Sequence, residues 1–362
     1  MDTDLSAPEF LTRLLAEAEQ AGASDVHLHQ LPAGARVAFR LDGVLTPVHD
    51  LSADFAERVF GRIKFLARLK TYQDSLPQEG RLNHAEVGTQ HDLRVATYPT
   101  VTGEKIVLRL FRPGEVQRLD GLGLPDGLLA GLRRFLGGTS GLLLLTGPAG
   151  SGKTTTIYAC LGELAVAGGR HVITVEDPVE QILPGIMQTE INEARGLTFA
   201  AAARHLLRQD PEVLVIGEIR DEETARIAVR AALTGHLVIA TLHAGSCAAV
   251  FERLHAMCPE RHSVVSSVAL VVNQRLVRRL CGSCRGRGCA DCLDTGYRGR
   301  APLVEWLAID AARRGRLATG DAAAGAPMKS LADSARELRA AGVSDEKEMT
   351  RVLGVDWQAG PE

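Results

Sequence analysis

Apolar residues in the first third of the chain repeat with two different periods. Across residues 8–21, Phe10, Leu11, Leu14, Leu15 and Ala18 fall at helical spacing, which predicts an amphipathic helix ending near Gly22. Residues 25–29 and 36–41 alternate with period two and lead into a turn at Asp42-Gly43, the pattern of hairpin strands. Residues 51–69 return to helical spacing. Residues 91–97 and 105–110 then form a second strand pair around Thr102-Gly103-Glu104. Arg112-Pro113-Gly114 and Gly121-Leu122-Gly123-Leu124-Pro125 read as connecting chain. Residues 1–115 are therefore expected to be a small α/β domain, with 116–125 as a linker.

From Asp126 the pattern becomes strands alternating with helices, the order that builds a parallel sheet. Residues 142–146, 171–175, 213–217 and 237–241 are apolar enough for central strands. Helices are expected at 126–136, 153–166, 198–208, 221–233, 246–257 and 261–279. After a cysteine-rich insert at 281–292, helical patterning resumes at 301. The second domain is then 126–310, with a helical region over 311–362.

Composition adds limits. A chain of 362 residues has room for two or three domains, and 45% apolar with 23% charged residues is ordinary for a globular protein. A net charge of −3 exerts no overall pull on nucleic acid or anionic lipid. The acidic start Met1-Asp2-Thr3-Asp4 precedes no apolar leader, and no apolar run approaches the roughly 20 residues of a membrane helix. We expect a cytoplasmic chain whose membrane role is peripheral, without direct insertion.

The strongest chemical signal is Gly147-Pro148-Ala149-Gly150-Ser151-Gly152-Lys153-Thr154, set between an apolar strand and the helix opening at Thr155. This is the phosphate-loop pattern in its required strand–loop–helix setting. Gly147, Gly150, Ser151, Gly152 and Thr155 would turn backbone N–H groups and the helix N-terminus toward a triphosphate. Lys153 would neutralise its charge, and the Thr154 hydroxyl would hold Mg²⁺. Hydrolysis needs acids at neighbouring strand ends. Glu218 closes one apolar strand and would serve the metal or the attacking water. Glu176, Asp177 and Glu180 close another, and one of these three is the natural general base.

His236 and His243 stand at opposite ends of a strand. Such histidines are more often structural, but His243 falls where a γ-phosphate would be sensed. Arg204 and Arg208 share a helix face, either as solvated surface or as charge for a phosphate across a subunit boundary. Cys281-x-x-Cys284 and Cys289-x-x-Cys292 have the paired spacing of a structural four-thiolate zinc site, with Arg285-Gly286-Arg287-Gly288 as a short link. Arg275, Arg278, Arg279, Arg285 and Arg287 make a basic patch without interleaved aromatics, so nucleic-acid binding there is the lesser reading.

These motifs, in this order, resemble the secretion ATPase superfamily of type II secretion, type IV pilus and competence pseudopilus assembly motors. The resemblance runs from about Ala23 to Ile309. Ala23-Ser24-Asp25-Val26-His27-Leu28 and Arg40-Leu41-Asp42-Gly43-Val44-Leu45 are similar to its opening motifs, and Pro77-Gln78-Glu79-Gly80-Arg81 to a further one, with Glu79 where Asp is usual. Residues 176–180 resemble its Asp box, 207–221 its Walker B region and 234–243 its His box.

The resemblance implies a RecA-like ATPase domain preceded by a small PAS-like α/β domain. It implies ATP, Mg²⁺ and Zn²⁺ as ligands, Glu180 as the base supported by Glu176 and Asp177, and Glu218 as the Walker B acid. His236 and His243 would respond to the γ-phosphate. It further implies a homohexamer in which Arg94 and Arg109 reach a neighbour's nucleotide, acting on an inner-membrane platform protein. The extra amino-terminal domain of many members is not expected here, because only about 22 residues precede Ala23. The cysteine motif favours an assembly motor. A pilus retraction motor and a nucleic-acid translocating ATPase are the alternatives.

Overall fold

A computed structural model describes residues 5–110 and 116–358. The segment Arg112-Pro113-Gly114 and the acidic start Met1-Asp2-Thr3-Asp4 lie outside the described residues. The chain divides into two compact units, Met1–Pro113 with Leu280–Gly299, and Gly114–Arg279 with Arg300–Glu362.

The first unit begins with α1 (Ala7–Ala21), which buries the apolar stripe Phe10, Leu11, Leu14, Leu15 and Ala18. Its start is fixed by Glu9, whose carboxylate accepts the Ser6 backbone N–H at 2.9 Å. β1 (Asp25–Leu31), β2 (Gly34–Leu41) and β3 (Val44–Ser52) follow, then α2 (Ala53–Leu66). β4 (Gln78–Leu82), α3 (His84–Val87), β5 (Leu93–Thr100) and β6 (Gly103–Leu110) complete the run. The six strands form one antiparallel sheet in the order β3-β2-β1-β6-β5-β4. Along β5 the period-two pattern is plain, with Leu93, Val95 and Thr97 buried and Arg94, Ala96 and Tyr98 exposed. Phe10 meets Phe55 edge-on at 5.2 Å between ring centroids, joining α1 to α2 in the core. The cysteine segment also belongs to this unit, and the Gly299 N–H donates to Asp42 Oδ2 at 2.7 Å.

The second unit carries α4 (Asp126–Leu136), β7 (Gly141–Thr146), α5 (Lys153–Ala167), β8 (Val172–Glu176), β9 (Met187–Glu190) and α6 (Phe199–Leu206). It continues with β10 (Val213–Ile216), α7 (Glu222–Leu233), β11 (Leu237–Leu242), α8 (Cys247–Met257), α9 (Arg261–Ser267) and β12 (Val268–Leu280). β13 (Tyr297–Ala308) and the helices α10 (Ala311–Ala318), α11 (Leu331–Ala340) and α12 (Glu346–Leu353) close it. The sheet order is β13-β12-β7-β11-β10-β8-β9, and the pairs from β12 through β9 are parallel. Leu142 to Leu145 of β7 have no exposed surface, as expected for a strand covered on both faces. Each such leucine contributes about 2 kcal/mol through burial.

Two stretches expected to be helical fold as strands. The helix expected over 261–279 ends at Ser267, and Val268 begins a strand. Strand β13 also occupies residues read as helical from 301. In both, a long apolar run covered on two sides loses its period, so spacing cannot separate strand from helix. Val268, Val271, Val272 and Val277 of β12 are all fully buried, and β-branched residues suit that setting.

Candidate active site

The sheet order brings the candidate motifs together. β7, β11, β10 and β8 are adjacent parallel strands, and their carboxyl ends line up. Thr146 pairs with Leu242, Ile216 with Ala240, and Ile216 with Val175. The phosphate loop, His243, Glu218 and the 176–180 acids each leave one of these ends, at one edge of the sheet, where ligands bind in such folds. The cavity there has a volume of about 260 Å³, and its walls include Lys153, Thr154, Glu180, Glu218, Arg220 and His243.

Gly147 opens the loop at φ 138°, in a region where side chains are strained, and a Cβ there would lie 2.2 Å from the Gln274 carbonyl oxygen. Gly152, also left-handed at φ 87°, precedes α5. Gly150 turns with φ 71°, and Ser151 is buried beside it. Thr154 and Thr155 are exposed in the first turn of α5. Lys153 Nζ donates to the carbonyls of Gly147 and Pro148, each at 2.9 Å. Burial lowers the Lys153 pKa, Glu218 opposes that shift, and Arg275 adds to it.

Glu218 is engaged on both oxygens, by His243 Nε2 at 2.8 Å and by Arg220 Nε at 2.6 Å. Arg220 also reaches Asp177 Oδ2 at 3.7 Å and lies over the Phe199 ring. Glu176 points inward. Its oxygens accept from Tyr158 Oη, Thr174 Oγ1 and Gln188 Nε2, so it is committed to structure. Asp177 and Glu180 are exposed at the cavity. Sequence reasoning missed Arg220 and Tyr158 as site residues. Arg220 stands two residues after Glu218, so the adjacent Walker B match could have signalled it. Only the three-dimensional fold discloses Tyr158.

Other candidates lie elsewhere. His236 sits at the amino end of β11, seven positions and roughly 23 Å from His243, and its Nδ1 is 3.0 Å from the Ala231 carbonyl. Arg204 is ion-paired with Glu223, and Arg208 Nη1 donates to the Arg204 carbonyl at 3.1 Å. Neither lines the cavity. Arg94 is exposed on β5, and Arg109 Nε pairs with Asp25 Oδ1 at 3.0 Å, both within the first unit. Of the arginines of the expected basic patch, two are engaged within the second unit. Arg275 donates to Asn273 Oδ1 at 2.7 Å beside the phosphate loop, and Arg278 is buried against Glu348.

Cys281, Cys284, Cys289 and Cys292 bring all four sulfurs within 4.8 Å of one another. The pairs 281–289 and 284–292 are 3.8 Å apart, and 289–292 is 3.7 Å. A tetrahedron with zinc–sulfur distances of about 2.3 Å has edges of about 3.8 Å, so the donors fit zinc. The short link closes because Gly286 and Gly288 adopt φ 89° and 90°. The Cys284 backbone N–H is the first cause of a Cys281 pKa held down at about 7.

Fold and site together define a P-loop ATPase, an ATP-hydrolysing enzyme. The chain belongs to the type II/IV secretion system proteins, a family description that matches residues 2–351. It is 41% identical to the type II secretion system protein HxcR of Pseudomonas aeruginosa, over 97% of this chain and 79% of that protein. It is 38% identical to type II secretion system protein E of Klebsiella pneumoniae, over 97% and 77%. The type IV pilus assembly ATPase PilB of Thermus thermophilus is 37% identical over 88% of this chain and 39% of its own length. Among solved structures, the Legionella pneumophila ATPase DotB superposes with a TM-score of 0.73 at 23% identity, covering 97% of this chain and 96% of DotB. The pilus retraction motor PilT with bound ADP gives 0.66 at 25% identity, covering 99% and 98%.

Proposed function

We propose that this enzyme is the motor of a type II secretion or type IV pilus-like assembly machine. It would work as a homohexamer on an inner-membrane platform protein, on the cytoplasmic face of the membrane. The observation that carries the catalytic part is the alignment of four strand ends, which gathers Lys153, Glu180, Glu218 and His243 around one cavity. Among the described residues no helix is long and apolar enough to cross a membrane. A separate platform protein therefore suits the reading.

In this scheme Gly147, Gly150, Ser151, Gly152, Lys153, Thr154 and Thr155 hold the phosphates. Thr154 and Glu218 would hold magnesium, whose contribution when bound is to neutralise phosphate charge. Glu180, exposed at the cavity mouth, takes a proton from the attacking water. His243 reports the γ-phosphate through Glu218. Arg94 and Arg109, with Arg204 and Arg208, supply charge across subunit boundaries. The four cysteines hold zinc as a structural brace, and the antiparallel first unit is read as PAS-like.

A retraction motor is the second reading, favoured by the likeness to PilT. The secretion and assembly roles named for HxcR, protein E and PilB support the first. Deleting the gene separates them. Loss of surface filaments or of secreted substrate is expected for an assembly motor. Accumulation of long filaments would establish retraction instead.

A further inference from the structure

The loop carrying Glu180 leaves β8 without regular secondary structure and is suspended from side chains. Its Val179 N–H donates to Glu190 at 3.0 Å, and its Leu183 N–H to Gln188 Oε1 at 2.6 Å. Gln188 Nε2 returns to the Gln181 carbonyl at 2.9 Å. The centre of the loop hangs on Tyr158. The Tyr158 hydroxyl accepts the N–H of Glu180 at 3.2 Å and of Gln181 at 3.3 Å, and donates its own proton to Glu176. One O–H to give and lone pairs to receive are all a phenol has, so this network fixes its direction.

We infer that Tyr158 is a positioning residue for hydrolysis, setting the Glu180 backbone, and hence its carboxylate, relative to the bound phosphates. The inference rests on the reading of Glu180 as the base. Tyr158 stands five residues after Lys153 on α5, so a single rigid helix fixes both the phosphate-binding ammonium and the loop of the base. Tyr158 is buried, and the buried Glu176 carboxylate it serves has its other oxygen held by Thr174 and Gln188. Burial first, then Glu176, pushes the phenol pKa well up, so the hydroxyl keeps its proton at working pH. Without the hydroxyl, two loop N–H groups and one carboxylate oxygen lose their partner, and the loop must shift to satisfy them.

Tyr158→Phe keeps the ring and removes this one link. In the full chain we expect kcat to fall roughly ten- to a hundredfold, the range that misplacing a reacting group by about 1 Å produces. KM for MgATP and the affinity for a fluorescent ATP analogue should stay within about twofold. Glu180→Gln, measured alongside, should abolish turnover. Full activity in Glu180→Gln would overturn the assignment of the base itself. An inactive Glu180→Gln with a fully active Tyr158→Phe would overturn the positioning role alone. Loss of nucleotide binding in Tyr158→Phe would overturn it too, making the hydroxyl part of the binding site or the core. Glu176→Gln provides a second probe and should also lower kcat with KM unchanged; a raised KM with kcat intact would count against the positioning role.

Discussion

His243 Nε2 lies 2.8 Å from Glu218 Oε1, across the gap between the ends of two adjacent parallel strands. Arg220 takes the other Glu218 oxygen at 2.6 Å. Glu218 is therefore held on both oxygens by nitrogen-bearing side chains, one of them placed by the strand β11 that precedes His243.

Glu218→Gln should leave nucleotide binding within about threefold while turnover falls by roughly a hundredfold or more, as removal of a preorganised charge at a reacting centre does. Steady-state ATPase rates beside equilibrium binding of a fluorescent ATP analogue measure both. Unchanged turnover would remove Glu218 from the site.

Gly147→Ala introduces a Cβ 2.2 Å from the Gln274 carbonyl oxygen and 2.8 Å from Ser151 Oγ, at a φ of 138°. The backbone oxygen cannot move aside cheaply. We expect loss of nucleotide binding with little change in helical content, checked by binding titration and circular dichroism.

Glu348 has no exposed surface and accepts from Arg278 N, Nε and Nη2 and from Arg351 Nε and Nη2. Glu348→Ala deprives the buried Arg278 guanidinium of its carboxylate, which typically costs about 3–5 kcal/mol. Denaturant melts should show this loss, and Glu348→Gln should lose less. Equal stability of Glu348→Ala and the parent would refute the network's role.

His27 is half-buried on β1, and burial foremost, then Arg40, Lys105 and Arg109 against the opposing Asp25, holds its pKa down at about 4. The unfolded chain titrates near 6.5, so between these values the unfolded state binds more protons. This contribution to stability is complete above about pH 6.5, is lost as pH falls toward about 4, and changes no further below that. Urea melts across this window should slope less steeply for His27→Gln than for the parent. Identical slopes would discard the assignment.

Purified chain should carry about one zinc atom per four-cysteine cluster, and cobalt substitution should produce thiolate-to-metal charge-transfer absorption. Chelation should lower the melting temperature of the first unit. Cys289→Ser should reproduce that loss without added chelator.

Much of this is legible in the sequence itself. The phosphate loop, the acids at 176–180 and 218, and the cysteine pairs each carry their chemistry in local spacing, and four central strands were marked by compact apolar runs. β12 and β13 were not, because strands covered on both faces lose the two-residue alternation that identifies β structure. Glu176 and Glu180 look alike in sequence. Only packing distinguishes them, by placing Tyr158, Thr174 and Gln188 around the first and leaving the second exposed. Strand direction, legible in the sequence, already separates the two histidines, and the fold accordingly has His243 at the cavity and His236 at the amino end of β11.

Thr146, the last residue of β7, donates its hydroxyl to the Ala244 carbonyl at 2.9 Å and accepts the Ala244 N–H at 2.8 Å. Asn273 adds a bond from β12 to the Gly245 carbonyl at 2.8 Å. The chain just after His243 is thus riveted to the root of the phosphate loop from two strands. If His243 responds to nucleotide as proposed, these bonds hold the backbone beside it and leave the imidazole as the part that can turn. The Glu180 loop, by contrast, is tied to its surroundings through the side chains of Tyr158, Gln188 and Glu190, so under the proposed mechanism it is the wall of the cavity with more freedom to move.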